Sequence, residues 1–315
     1  MKKPIVVLTG PTAVGKTELS IQLAKAIGGE IISADSMQVY KYMDIGSAKI
    51  TPEEMDGVRH YLVDELEPFD EFHVVKFQEY AQKYLNEIYA HEKIPIIAGG
   101  TGFYIQALLN DIDFTEQESD SAYRKELEAL AEEHGNQYLH DRLKEVDPES
   151  AEAIHPNNRK RVIRALEFYQ ETGRKISEHN AKEQMRTSPY NFAYFVLNDE
   201  RSHLYKKIDA RVDKMIEDGL EAEVRRLKEM GCTKDMVAMQ GIGYKEMLSY
   251  LDGGYSLEEA VYIIKRETRH FAKRQITWFK RERDVIWLNK NEFDYKNEAI
   301  LAYMIKILKE KAIIS

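Results

Sequence analysis

Cysteine is nearly absent: Cys232 is the only one in 315 residues. That excludes an intramolecular disulfide and a cysteine-based metal centre, and it suits a reducing compartment. Flanked by Gly231 and Thr233, this cysteine reads as a loop or packing residue. Long apolar runs are missing too, none approaching the roughly eighteen residues of a membrane span. Met1-Lys2-Lys3-Pro4 leads into only a short apolar stretch before the first glycine, so no signal peptide is expected and a cytoplasmic, membrane-free protein is. There is no internal repeat and no low-complexity segment. Positive charge is in deficit as well, with a net charge of −9 that taken alone argues against a nucleic-acid partner.

That average hides its own distribution. Fourteen Asp and Glu against four Lys and Arg fall between Asp111 and Glu152, so this one segment carries the whole imbalance. Two stretches are strongly basic: Arg159 to Arg164, at +4, and Lys265 to Arg283, with eight basic and two acidic residues. Local patches decide affinity for a polyanion. A 43% apolar content rules out disorder, and the length fits one large domain or two ordinary ones.

What is present is organised around Ile5 to Thr17, an apolar run that breaks into Gly10-Pro11-Thr12-Ala13-Val14-Gly15-Lys16-Thr17. Glycines at this spacing let consecutive backbone N–H groups curl around phosphate oxygens. Lys16 adds a point charge, the Thr17 hydroxyl can ligate Mg²⁺, and the helix that follows points its positive end at the same place. The motif is the one many ATP-binding proteins use; it says diphosphate and magnesium and does not by itself say ATP.

A second apolar strand, from Glu30, ends at Asp35. In open parallel sheets ligands sit beyond the carboxyl ends of the strands, so Asp35 is a candidate general base or metal partner, or alternatively a turn cap. A third strand is expected over Arg59 to Asp64, a helix over Phe72 to His91, and a buried strand over Ile94 to Ala98. The last runs into Gly99-Gly100-Thr101-Gly102, either a second crevice-facing loop or a plain tight turn. Alternating strands and helices imply an α/β fold, a P-loop-type parallel sheet flanked by helices. Strand patterning then stops until Phe192 to Leu197, so residues 113–190 read as a helical insertion domain in a core of 1–112 and 191–315. One long helix is expected over Leu204 to Lys228, a cationic helix over Glu258 to Phe279, and a closing strand and amphipathic helix after Val285. On the Asn157 to Glu171 helix, Arg161, Arg164 and Ala165 share a face; on the later helix Tyr262, Arg266, Arg269, His270, Lys273 and Thr277 form a stripe. Such faces suit an RNA backbone, or are simply solvated surface. A small-molecule or nucleotide kinase would also fit the loop and crevice, but it leaves the basic faces without a purpose.

Taken together, GPTAVGKT, DSMQVY, GSAK, GGTGFY, HPNNRKRVIRALE, GLEAEV, QGIGYKE and AKRQITWF, in that order, resemble the bacterial tRNA dimethylallyltransferase (tRNA isopentenyltransferase) family over nearly the full length. Departures are small: GSAK where the family more often has GTAK, and Arg59 where a second His often precedes the strand. The resemblance implies transfer of a dimethylallyl group from dimethylallyl diphosphate to N6 of the adenosine 3′-adjacent to the tRNA anticodon. On that basis Gly10, Thr12, Ala13, Val14, Gly15, Lys16 and Thr17 hold the diphosphate, with Thr17 on Mg²⁺. Asp35, Thr101 and Arg211 carry the chemistry. Asp35, Ser36, Met37, Gln38, Thr101, Arg159, Lys160, Arg161, Val162, Ile163, Arg269 and Lys273 meet the anticodon stem-loop. A monomer is expected.

Overall fold

The computed structural model describes residues 2–112, 122–184 and 186–315. Contacts divide the chain into two compact units, Met1–Leu109 with Pro189–Ser315, and Asn110–Ser188. The division thus falls at 109/110 and 188/189 instead of the expected 112/113 and 190/191. Residues 113–121, where the acidic segment leads into the insertion, lie outside the described residues.

The first unit is built on six parallel strands: β1 (Lys3–Thr9), β2 (Gly29–Ser33), β3 (His60–Tyr61), β4 (Ile94–Gly99), β5 (Tyr190–Asn198) and β6 (Val285–Asn289), in the order β3-β2-β4-β1-β5-β6. Helices cover both faces, so the central strands are apolar throughout and their side chains sort by parity. In β1, Ile5 and Val7 join one core while Val6 and Leu8 join the other. Helix α1 (Lys16–Ile27) packs Leu19 and Leu23 on the second face. Fully burying a side chain of that size contributes roughly 1.5–3 kcal/mol.

The short α2 (Pro52–Met55) starts at a Thr51 capping box. Helices α3 (Val74–Ala90) and α4 (Gly102–Asn110) cover the first face. The second unit holds α5 (Ala122–His134), α6 (Asn136–Val146), α7 (Pro148–Ala153), α8 (Arg159–Thr172) and α9 (Ile176–Gln184). They close around Leu127, Leu139, Leu143, Val162 and Leu166. Two interior carboxylates are matched: Asp147 accepts from the Ser150 and Ser177 hydroxyls, and Arg124 forks onto buried Glu167.

The first unit resumes with α10 (Arg201–Glu217), α11 (Leu220–Glu229), α12 (Tyr244–Leu251), α13 (Leu257–Phe279) and α14 (Asn297–Glu310). Two expectations need correction. The single helix over Leu204 to Lys228 is two, because Gly219 takes a left-handed φ of 99° that breaks the hydrogen-bond ladder and starts α11 afresh. The strand over Arg59 to Asp64 shrinks to two residues, because Leu62 and Asp64 turn to φ 60° and 61° and the Leu62 N–H donates to the Glu65 carboxylate. No helix among the described residues is long and apolar enough to cross a membrane.

Candidate functional site

Because β4 lies between β2 and β1, the carboxyl ends of three adjacent strands bring together the segment around Asp35, the Gly99–Gly100 exit and the glycine loop. They open on a cavity of about 540 Å³. Thr12, Ala13, Gly15, Lys16, Thr17, Asp35, Gln38 and Arg211 all line it.

The loop owes its shape to a few left-handed positions: φ is 147° at Gly10, 63° at Ala13 and 99° at Gly15. A side chain on Gly10 would collide with the Leu197 carbonyl of β5, so the loop can lie this close to the sheet only with glycine there. Val14 is buried behind the loop, anchoring it, and is absent from the cavity wall.

Two cations, Lys16 and Arg211, line the cavity together with the carboxylates of Glu18, Asp35, Glu54 and Asp56. Lys16 donates to the carbonyls of Gly10 at 3.0 Å and Pro11 at 2.9 Å. Burial, then the neighbouring Arg211, brings its ammonium down to about 8, with Asp35 opposing. Arg211 leaves much of its side chain open to the cavity, yet the protein gathered around its guanidinium still disfavours the charge, partly offset by Glu54 and Asp35. Among the described residues neither Lys16 nor Arg211 has a carboxylate in salt-bridge range. Two partly desolvated cations without a direct ion pair favour an anionic ligand.

Opposite them, one oxygen of Asp35 accepts from the N–H groups of Met37 at 2.8 Å and Gln38 at 3.3 Å. Asp35 therefore is a turn cap, and it lines the cavity too; its Oδ2 has no protein partner among the described residues. The Gln38 side chain donates to the Ala48 carbonyl at 3.1 Å. Thr101 stands just past the cavity wall: its N–H donates to Ala34 O at 3.1 Å and its carbonyl accepts from the Tyr104 and Ile105 N–H groups at the start of α4. Ser36 and Met37 do not line the cavity.

Three contributors escaped the sequence reading. Gln275 of α13 accepts from the Thr12 N–H at 2.9 Å and donates to Gly100 O at 2.9 Å, tying the glycine loop to the β4 exit. Lys290, nine-tenths buried, donates to Val14 O at 3.3 Å from behind the loop. His60 lines the far wall, its imidazole held below its usual value by burial. Gln275 lies within AKRQITWF, so its motif was visible; nothing in the sequence marks Lys290.

The basic stretches fare differently. Lys160 and Arg161 are exposed and Arg159 half-buried, and no acidic side chain pairs with them among the described residues. Val162 and Ile163 are in the core of the second unit, so their side chains cannot reach an RNA backbone. Ala165 is buried and Arg164 lies half-buried near Glu167 and Arg124, so the face expected for them is turned inward. On α13, Arg266, His270, Lys273 and Thr277 are exposed. Arg269, however, pairs with Asp209 at 2.5 Å and Lys265 with Asp213 at 2.5 Å.

Strand order and a glycine loop at the carboxyl ends of the strands define a parallel α/β protein with a P-loop-type cleft that holds Lys16, Arg211 and Asp35 together. The family model for IPP transferases matches residues 38–282. The tRNA dimethylallyltransferase of Lachnoclostridium phytofermentans is 64% identical over 313 residues, 99% of each chain. The full-length tRNA isopentenylpyrophosphate transferase of Bacillus halodurans matches with a TM-score of 0.74 at 45% identity, covering 99% of this chain and 98% of that one. A eukaryotic dimethylallyltransferase acting on tRNA matches with a TM-score of 0.79 at 32% identity, covering 91% and 74%. The chain belongs to the IPP transferase family.

Proposed function

We propose that the protein transfers the dimethylallyl group of dimethylallyl diphosphate to N6 of the adenosine 3′-adjacent to the anticodon, releasing diphosphate. The observation that carries this reading is the gathering of Lys16 and Arg211, neither in a direct ion pair among the described residues, with Asp35 in one cavity. Family membership favours it over phosphoryl transfer by a kinase.

The diphosphate lies on the glycine loop, with Lys16 and Arg211 taking up the charge that develops as the allylic C–O bond breaks and its electron pair leaves with the diphosphate. N6 attacks the freed allylic carbon, and its surplus proton passes to Asp35. An exocyclic amine is a poor nucleophile, so holding it at the carbon supplies much of the rate. Gln38 and Thr101 hold the adenine edge. No cluster of three acidic, His or Cys side chains suits a metal among the described residues. Thr17 lines the cavity beside Lys16, a place that suits Mg²⁺, which keeps its waters and would be held through the Thr17 hydroxyl beside the substrate's phosphates. Bound there, it would neutralise charge on the leaving group.

The adenosine must unstack to enter, which favours a single-stranded anticodon loop. Arg159, Lys160, Arg161 and Lys273 offer charge to the RNA backbone. A cytoplasmic monomer fits such a substrate. Purified protein, unmodified tRNA and dimethylallyl diphosphate should yield prenylated adenosine by mass spectrometry of the digested tRNA. Absence of that product with every tRNA, or label passed from a γ-phosphate to a small acceptor instead, would overturn the reading.

A further inference from the structure

The wall of the cavity that carries Ser47 and Ala48 belongs to a loop, residues 44–50, with no strand or helix of its own. Three of its backbone N–H groups converge on one side chain. Glu223 of α11 is 5% exposed, and its Oε2 accepts from Asp44 at 2.9 Å and Ile45 at 2.8 Å. Its Oε1 accepts from Gly46 at 3.1 Å and from the Tyr244 hydroxyl at 2.8 Å. Among the described residues no Lys, Arg or His pairs with this carboxylate. A buried, unpaired carboxylate is costly, and four donors aimed at it are what make it tolerable. The loop and the carboxylate therefore determine each other's position.

The connection continues to the reacting groups. Two residues past the amides that Glu223 holds, the Ala48 carbonyl accepts from the Gln38 side chain, and the Gln38 backbone N–H reaches the Asp35 carboxylate. Gln38 and Asp35 both line the cavity. The fit on the other side is close: Tyr244 packs so tightly on Gly46 that a side chain there would collide with its ring. We propose that Glu223 is a positioning residue for the transfer reaction, setting Gln38 beside Asp35 through the 44–48 loop; the inference rests on the prenyl-transfer reading. Among the described residues Glu223 has no hydrogen bond or ion pair to the glycine loop or Lys16, so its influence should fall on the acceptor side of the cavity and spare the diphosphate side.

The test is a double-mutant cycle with an independent structural readout. In Glu223→Gln one oxygen becomes an NH₂ that faces backbone N–H groups instead of accepting from them. Turnover of tRNA should fall about tenfold to a hundredfold, while affinity for inorganic pyrophosphate stays within about twofold. In a Gln38→Ala background the same change should cost less than about threefold, because the group it positions is already gone. Hydrogen exchange at residues 44–46 should quicken by at least about tenfold. Glu223→Asp, which keeps the charge on a shorter stem, should fall between wild type and the Gln variant in both readouts, and it carries the cycle if Glu223→Gln does not fold. Equal losses in both backgrounds, or pyrophosphate affinity falling in step with turnover, would reduce Glu223 to a structural residue. Absence of transfer by the wild type would count against prenyl transfer itself. Exchange at 44–46 would then still report on Glu223, and unchanged exchange there would overturn the inference.

Discussion

Two sets of cations in this molecule carry the same formal charge in opposite circumstances. Lys16, Arg211 and Lys290 are crowded by protein, which lowers the affinity of each for its proton, and none of them has a carboxylate in contact. The basic helices α8 and α13 are at the surface, where solvent already stabilises charge. On α13 part of that charge is also spoken for, since Asp209 and Asp213 of α10 hold Arg269 and Lys265. A cation that the protein desolvates without a direct ion pair is further relieved by an arriving anion, so Lys16 and Arg211, which line the cavity, mark a site. An exposed cation marks one only if nothing in the protein has neutralised it.

The largest effects should therefore come from the enclosed set. Lys16→Ala removes a charge from the cavity and is expected to lower prenyl transfer by about a thousandfold, as loss of a transition-state donor does elsewhere. Pyrophosphate titration of the same variant should show affinity falling with it. Asp35→Asn should cut transfer by about a hundredfold or more while pyrophosphate binds as before, since the base faces the other substrate. Retained transfer would remove Asp35 from the chemistry.

The enclosed set should also titrate. Lys16 loses its proton near 8 in the free protein, below the ordinary lysine range. Below that pH the ammonium is present to meet the diphosphate; above it the charge is lost before ligand arrives. Pyrophosphate affinity should fall as pH rises through about 8, and bound ligand should push the lysine back up. A flat profile between pH 7 and 9 would mean that Lys16 is not the titrating contact.

The contrast explains what could be read from the chain and what could not. The glycine loop, the alternation of β1 and the carboxyl-end position of Asp35 are local patterns, each fixed by residues close in sequence. Their assembly follows from parallel-sheet topology, which places β4 between the other two strands. Long-range pairings leave no such trace. Gln275 meets Thr12 across 263 positions and Lys290 meets Val14 across 276. The stripe on α13 was legible as spacing, but its partial neutralisation depended on how α10 packs against it. The inward turn of Val162, Ile163 and Ala165 likewise came from the insertion's own core, where an apolar face outweighs the charges beside it.

The surface set can be divided by the same logic, with smaller effects. Replacing Arg159, Lys160 and Arg161 together by Gln should weaken tRNA binding and flatten its salt dependence by about two to three units of slope, since each free cation meeting a phosphate releases a little under one counter-ion. Arg269→Gln alone should change that slope by less than one, because Asp209 already holds the guanidinium at 2.5 Å. Asp209→Asn supplies the converse. It frees Arg269 at the loss of an ion pair worth about 0.2–1 kcal/mol, and should steepen the slope and tighten tRNA binding about two- to threefold. If Asp209→Asn leaves both unchanged while Arg269→Gln lowers affinity, Arg269 reaches the RNA despite its partner. Packing against α10 would then orient this arginine instead of withdrawing it.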